Sequence, residues 1–429
     1  MSEAVGTLLI FTLCYMFLMA EKGNRALVAC AGGTAMVLFG TLDLELAFFR
    51  YIDWHTMTLL LSMMMMVAIA SQSGLFEYTA IRAAQLVNGQ PLPLLFLISA
   101  LTAVGSAFLN NVTTVLLVAP MVIKVAKMLH LPAVPYLIAI IMASNIGGTA
   151  TLIGDPPNLM IGQAVAHLTF NDFLLHLGPV VVIIFIVVMY GLGWWYKQDL
   201  KSSEKYQAEL MKVNPHQYIA SRPLLYKSLG VLFLTLLAFV IQPLIGVELT
   251  AIAMAGALLL LFVTYDEVTP EHVFQQVEWV TIFFFAGLFM LIGGLEEAGI
   301  IDELARALIY YTEGDVPKTS LLVLWVSGML SGFVDNVPFV AAMIPIIQEF
   351  QSYGVQDLDP LWWALALGAC LGGNATIIGS TANVIVAGMA HKANEGFTYM
   401  EFLKVGVPVV VLSFLISTVY LLGRYLLFY

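Results

Sequence analysis

The sequence predicts an all-α membrane protein that crosses the bilayer many times and is built from two copies of one unit. Its composition is the first observation: 60% of the 429 residues are hydrophobic and 10% are charged, whereas a soluble domain carries about 25% charged residues. An internal repeat is the second. Aligned without a gap, the twelve residues that begin at Gly147 and at Gly372 are identical at seven positions.

The repeat extends over both halves at the same offset of 225 positions. It pairs Trp54 with Trp279, Gly74 with Gly299, Asn111 with Asn336 and Pro120 with Pro345. Chance similarity between apolar helices would instead give scattered matches of Leu and Val. We therefore predict a first repeat at 1–196, a cytoplasmic linker at 197–225 and a second repeat at 226–429.

Apolar runs give the elements of each repeat in order. In the first we predict spans at 5–20, 26–41 and 55–71, an amphipathic connector at 75–89, shorter apolar pieces at 91–108 and 112–129, a broken span at 133–166 and a last span at 173–195. In the second we predict spans at 226–242, 249–264 and 279–295, a connector, pieces at 319–333 and 337–350, a broken span at 360–391 and a last span at 402–428.

Each pair of shorter pieces is interpreted as a re-entrant hairpin. Each half then crosses five times, which gives about ten transmembrane helices plus two hairpins and two broken helices. Because five is odd, the second half is inverted relative to the first.

Positive charges orient the chain. With the linker inside, cytoplasmic segments hold 13 of the 17 Lys and Arg residues, as the positive-inside rule requires. We predict a multi-pass inner-membrane protein with a cytoplasmic linker at 197–227 and both termini in the periplasm. The run Val5 to Ala20 is interpreted as a retained helix because no basic segment precedes it.

Composition and motifs also exclude several classes. A net charge of −11 and a pI near 5.0 argue against nucleic acid as a partner. The three cysteines lack metal-ligand spacing, and Cys370 is interpreted as a small buried hydrophobe. The chain shows neither a nucleophile–base pair nor a P-loop. We predict no enzyme activity, no cofactor and no dedicated metal site.

The two broken spans carry the clearest functional signal. Gly147, Gly148, Gly154, Pro156 and Pro157 interrupt the first, because glycine is conformationally loose and proline removes a backbone donor. Irregular backbone at membrane depth is tolerated only in protein or along a watery cavity. Broken helices at mid-depth form the binding sites of transporters.

The hairpin tips place amide oxygens just before helix N-termini, which favour oxygen-rich or anionic ligands. If the tip and loop of one half pair, site one contains Asn110, Asn111, Thr149, Asp155 and Asn158. Site two contains Asp335, Asn336, Asn374, Ser380, Thr381 and Asn383. Thr113 is a further candidate. For Thr113 and Thr151, however, the favoured interpretation is a hydrogen bond from the side chain to the backbone of its own helix.

Asp155 and Asp335 are the candidates for proton coupling, with Na⁺ as the alternative ion at the same positions. An ionised carboxylate at bilayer depth costs about 2.5–3.5 kcal/mol or more, so it needs a partner or a proton. The alternative interpretation makes each aspartate a fixed cap of the helix that follows.

Four motifs, SNIGGTATLIGDPPN, GGNATIIGSTAN, FLNNVTT and FVDNVPF, resemble the arsenite permease/NhaD-type Na⁺/H⁺ antiporter/P protein family of the ion transporter superfamily. The resemblance covers nearly the whole chain. It implies a homodimer in which a scaffold holds an elevator-like transport domain, here 90–170 and 318–393. Relatives often have Asp-Asn in both tips, whereas tip one is Asn110-Asn111. The Ser-Asn-Thr tips of the dicarboxylate branch are also lacking.

The resemblance implies an ion-coupled carrier, and we expect export of arsenite and antimonite driven by the proton gradient. As(OH)₃ is an uncharged, polyol-like solute that suits a pocket of Asn and Thr. Na⁺(Li⁺)/H⁺ antiport is the alternative, with Asp155 and Asp335 as cation ligands. A channel is disfavoured because broken helices favour alternating access. The expected partners are the cargo, H⁺ or Na⁺, the lipid bilayer and a second copy of the chain. An ATPase subunit is a further possible partner.

Overall fold

A computed structural model describes residues 3–19, 23–201, 204–355 and 357–426. The first half contains α1 (Glu3–Met19), α2 (Arg25–Phe39), α3 (Leu44–Leu46), α4 (Trp54–Ser71), α5 (Leu75–Leu86), α6 (Pro91–Leu109), α7 (Asn111–Met128), α8 (Val134–Gly148), α9 (Pro156–Ala164) and α10 (Phe170–Tyr196). The linker contains α11 (Glu204–Met211) and a 3₁₀ turn at Pro215–Tyr218.

The second half repeats this order. It contains α12 (Arg222–Ile245), α13 (Leu249–Val263), α14 (Pro270–Gln276), α15 (Trp279–Glu297), α16 (Ile300–Thr312), α17 (Val316–Ser331), α18 (Asn336–Glu349), α19 (Asp359–Gly372), α20 (Thr381–Lys392) and α21 (Tyr399–Leu421). The predicted all-helical membrane fold is confirmed, and so is the order of its elements. Lys22, residues 202–203 and both chain ends, which enter the orientation argument, lie outside the described residues.

Within the described ranges, seven helices are long and apolar enough to cross a membrane: α4, α6, α7, α10, α12, α15 and the helix that begins at Tyr399. Five shorter apolar helices accompany them, at 4–18, 25–39, 134–148, 249–263 and 316–331. Outer helices expose large apolar side chains such as Leu244, Phe262 and Tyr190. A belt of exposed apolar side chains matches a lipid solvent.

The centre of the molecule is formed by α8 and α19, the first parts of the two broken spans. Every residue from Pro135 to Gly148 and from Pro360 to Gly372 is buried. A Cβ atom on Gly147 would overlap the backbone of Ala103 on α6, and one on Gly372 would overlap the backbone of Gly328 on α17. Small residues at these positions let the helix backbones touch.

The two halves are interlaced. In the outer layer α2 packs on α15 and α4 packs on α13. Around the broken spans α9 packs on α18 and α20 packs on α7. Each of these contacts joins a helix of one repeat to a helix of the other, so that the loops between α8 and α9 and between α19 and α20 meet at the centre.

Candidate functional site

The site lies where two hairpin tips and the loops of the two broken spans meet near the centre of the bundle. Tip one is Asn110-Asn111, at the start of α7, and tip two is Asp335-Asn336, at the start of α18. Asn110 accepts a hydrogen bond from the Val112 amide, and Asp335 accepts one from the Val337 amide. Both tips therefore cap the helix that follows them.

The loops of the broken spans are held by their own asparagines. Nδ2 of Asn158 donates to the carbonyls of Thr149 and Thr151 at 3.0 and 2.9 Å. Nδ2 of Asn383 donates to the carbonyls of Gly373 and Thr376 at 2.7 and 2.9 Å. These bonds satisfy carbonyl groups that the helix breaks release, which is required of buried backbone.

Asn145, in the last turn of α8, is the hub of the site. Its Nδ2 donates to Oδ1 of Asn374 at 2.9 Å and to Oδ1 of Asn383 at 3.0 Å. Its Oδ1 accepts from Nδ2 of Asn111 and from Oγ of Ser380, both at 3.3 Å. The side chain is fully buried, and these four bonds use its two donors and both lone pairs.

Asp155 stands immediately before α9 and is fully buried. Its carboxylate does not cap that helix. Nδ2 of Asn336 instead donates to both carboxylate oxygens, each at 3.3 Å, and the side chains of Asn111 and Cys370 lie beside it. Within the described part of the chain, no ion pair includes Asp155. The carboxylate thus has only neutral partners there.

Asp335 has a different environment. Its Oδ2 lies 3.1 Å from Nη1 of Arg25 on α2 and accepts from Oγ1 of Thr381 at 2.8 Å. Arg25 also donates to Thr381, and its guanidinium lies over the ring of Phe284. The carboxylate is about one-fifth exposed, so its charge is balanced and it is open to a cavity.

This cavity has a volume of about 700 Å³ and lies between α1, α2 and α15 on one side and α18 and α20 on the other. Its polar groups include Arg25, Asp335, Thr381 and Glu278. Burial raises the pKa of the Glu278 carboxyl, while a hydrogen bond from Thr281 and the charge of Arg25 act in the opposite direction. The remaining wall is mostly apolar.

The tip and loop of each half are in contact, at Asn111–Gly154 and at Asp335–Thr381, but further contacts join the two groups. Asp155 of the first half contacts Asn336 of the second, and Asn145 contacts Asn374 and Asn383 across the halves. The reason is the interlacing of the repeats, which places each loop between both tips. The candidates therefore form one continuous cluster.

The threonine candidates differ from one another. Thr113 is half-buried, and among the described residues no hydrogen bond joins it to the cluster. Its buried neighbour Thr114 bonds back to the carbonyl of Asn110. Thr149 donates to the Asn145 carbonyl at 2.7 Å. Thr151 donates to the carbonyl of Ala107 on α6, so the bond to its own helix that we expected is not the one formed.

Sequence reasoning missed two members of the site. The signal for Asn145 was an amide side chain in a predominantly apolar helix, two positions before Gly147. Arg25 was counted only as a cytoplasmic positive charge, because it follows a polar turn at a predicted helix start. Its partners lie 310 and 356 positions away, beyond the reach of local patterns.

An interlaced all-helical membrane fold with broken helices around a buried polar cluster is the architecture of a membrane transporter. The chain belongs to the CitMHS family, described as "Citrate transporter", which matches residues 15–368. It is a transporter and not an enzyme. The resemblance noted from the motifs is confirmed at the level of the family, because P proteins are among the relatives.

Two of the relatives match this chain over nearly the whole length of both. An uncharacterized transporter of Mycobacterium tuberculosis is 39% identical over 421 residues, 97% of each chain. The 46 kDa membrane protein of Mycobacterium leprae is 38% identical over 97% of this chain and 98% of its own. The P protein of Mus musculus is 32% identical over 97% of this chain and 59% of its own. The solved YdaH transporter of Alcanivorax borkumensis has the same fold, with a TM-score of 0.59, 15% identity and coverage of 99% and 98%.

Proposed function

We propose that the chain is a secondary active transporter in which the Asp155 carboxylate binds and releases the coupling cation. The burial of this carboxylate among neutral partners carries the proposal. A charge in that position is costly unless a proton or a cation neutralises it. The carboxylate does not cap α9, so the alternative of a fixed helix cap does not account for its position.

The cargo that we propose is arsenite or antimonite, exported from the cell across the inner membrane as protons move inward. The groups around Asp155 and Cys370 are uncharged amides and a hydroxyl, which include Asn336, Asn158 and Thr149. Such groups donate to and accept from an uncharged hydroxylated solute. A free polyanion such as citrate fits less well, because Arg25 in the cavity is accompanied by two carboxylates, Asp335 and Glu278.

Na⁺(Li⁺)/H⁺ antiport is the second candidate. The observation that favours it is the side-chain oxygen of Asn158, whose contact is the Cys370 thiol at 3.5 Å, a weak donor. Together with the Asp155 carboxylate this oxygen would give Na⁺ two hard ligands. In both cases we do not assign cation binding to Asp335, because Arg25 already balances its charge.

The larger organisation is also a proposal. The transport domain would consist of 90–170 and 318–393, and the remaining helices would form the scaffold of a homodimer. The linker at 197–227 would face the cytoplasm and both termini the periplasm. The Arg25–Asp335 pair would then join scaffold to transport domain. An ATPase subunit is a further partner to be sought by co-purification.

Transport in everted membrane vesicles tests the function. Vesicles with an inside-acid pH gradient receive arsenite, antimonite, Na⁺, Li⁺ or citrate in separate assays, and both the gradient and solute uptake are followed. We expect arsenic uptake that a protonophore abolishes. Dissipation of the gradient by Na⁺ or Li⁺ without arsenic uptake would support the antiporter, and citrate uptake alone would contradict both cargo proposals.

Substitution of the coupling carboxylate completes the test. Asp155→Asn should reduce coupled transport by about 100-fold or more, as for loss of a directly acting group. The matched control is Asp266→Asn, which removes a charge from an exposed position and should transport normally. Wild-type coupling in a correctly folded Asp155→Asn protein, judged by its elution in detergent, would refute the assignment.

A further inference from the structure

The internal repeat places two equivalent shells of side chains inside the polar cluster. Asn145 and Cys370 are 225 positions apart and occupy corresponding places in α8 and α19. At the same offset the neighbours of one correspond to the neighbours of the other. The corresponding pairs are Asn111 and Asn336, Thr149 and Asn374, Asp155 and Ser380, and Asn158 and Asn383.

One of the two groups, here called the Asn145 shell, consists of Asn111, Asn145, Asn374, Ser380 and Asn383. It is closed, because the Asn145 amide nitrogen contacts the side-chain oxygens of Asn374 and Asn383 at 2.9 and 3.0 Å. Oxygens that converge in this way are also the ligands of a hard cation. The amide donor thus occupies the place in which a bound cation would gather those oxygens.

The other group, here called the Cys370 shell, consists of Thr149, Asp155, Asn158, Asn336 and Cys370. A thiol stands where the other shell has an amide, and it contacts the Asn158 oxygen at 3.5 Å instead of 3.0 Å. Thr149 lies beside the same thiol. A carboxylate replaces the hydroxyl of the other shell, and all five residues are buried. This shell therefore combines a negative charge with the Asn158 oxygen, whose contact is a thiol, a weak donor.

We propose that Asn145 is a built-in substitute for a cation and that the Cys370 shell is the site that takes up a monovalent cation, Na⁺ or a proton. One coupling cation is then bound in each cycle although the fold provides two equivalent places. The inference rests on the proposed function, since it takes Asp155 as the coupling group. It adds that Asn145 closes one of the two equivalent places and that Cys370 leaves the other open.

Cys370→Asn tests this directly, because it puts the amide of the Asn145 shell into the Cys370 shell. The new amide would donate to the Asn158 oxygen and the Asp155 carboxylate, and we expect cation-driven transport to fall by more than about tenfold, the scale seen when groups around a bound metal ion are altered. Asp266→Asn, an exposed position outside the polar cluster, is the control and should retain transport. Folding of both variants is checked by thermal melting in detergent.

The outcomes separate the two claims. If the wild-type protein shows no cation-driven transport, the proposed function fails and this inference with it. If the wild-type protein is coupled and Cys370→Asn is equally active, only the inference fails. Repeating the assay with and without Na⁺ at constant pH distinguishes Na⁺ from a proton as the bound species.

A reciprocal variant keeps the inference testable if Cys370→Asn does not fold. Asn145→Cys combined with Ser380→Asp gives the Asn145 shell a thiol and a carboxylate at the positions that have them in the Cys370 shell. The number of cations moved per cycle, measured from the reversal potential in proteoliposomes, should rise from one to two. An unchanged number in a transporting double variant would overturn the proposal.

Discussion

At the scale of single residues, the two hairpin tips are not equivalent. Asn110 has φ 76° and ψ 143°, in the region that favours glycine, whereas its counterpart Asp335 has φ −47°. Asparagine tolerates positive φ better than most residues, and its side chain also caps α7. The backbone at position 110 thus favours asparagine over most residues, and the same side chain binds an amide of the first turn of α7.

We predict that Asn110→Ala destabilises the protein by about 1–2 kcal/mol more than Asn110→Gly. Alanine loses the cap and is strained at positive φ, whereas glycine loses the side chain but accepts the backbone conformation. Thermal unfolding of the purified variants in one detergent measures the difference. Equal melting temperatures would show that the conformation at position 110 carries no strain.

The sequence predicts part of the site. Asp155, Asn111 and Asn336 were found because glycine, proline and capping residues mark helix breaks and helix starts, which are local features. Asn145 was not found, because its amide partners Asn374 and Asn383 lie 229 and 238 positions away. Hydrogen bonds of that span are set by the packing of the halves and leave no periodic signal.

At the scale of elements, the glycines of α8 and α19 determine how close the broken spans come to their neighbours. The predicted positions of these helices agree with the structure because composition and helix breakers are local. Their partners were not predictable, since each half could have packed on itself. The interlaced contacts of α9 with α18 and of α20 with α7 explain why the candidates form one cluster and not two.

We predict that Gly147→Ala impairs both stability and transport. The added methyl group would overlap the Ala103 backbone, and overpacking of this kind costs about 1–3 kcal/mol. Gly388→Ala on α20 is the matched control, because nothing lies within 4 Å of a Cβ atom there. It should be neutral or stabilise by up to about 1 kcal/mol. Thermal melting and vesicle transport measure both, and equal behaviour of the two variants would contradict the packing argument.

At the scale of the whole molecule, composition and the repeat were sufficient to predict a polytopic transporter. The cargo did not follow from them, since neutral amide groups suit a hydroxylated solute and a dehydrated cation alike. The structure adds the contacts between α1–α2 and α18–α20. These are the Arg25–Asp335 ion pair and a 2.7 Å hydrogen bond from the Tyr15 hydroxyl to the Pro338 carbonyl.

We predict that Arg25 and Asp335 are energetically coupled. In a double-mutant cycle of Arg25→Gln and Asp335→Asn, the interaction should be about 1–3 kcal/mol, as for paired groups in contact. The more exposed pair Arg50–Glu296, at 3.4 Å, is the control and should give less than about 1 kcal/mol. Thermal unfolding of all variants measures both values. Additive effects of the two substitutions would show that this ion pair does not stabilise the contact between α1–α2 and α18–α20.

The mixed origin of the two shells bears on how such a chain arose. Each shell draws side chains from both repeats, so an ancestral single-repeat protein could have completed a shell only by pairing with a second copy of itself. That pair would have contained two identical shells, and any substitution would have altered both of them. A single chain that holds both repeats lacks this constraint, because positions 145 and 370, and likewise 155 and 380, can change separately.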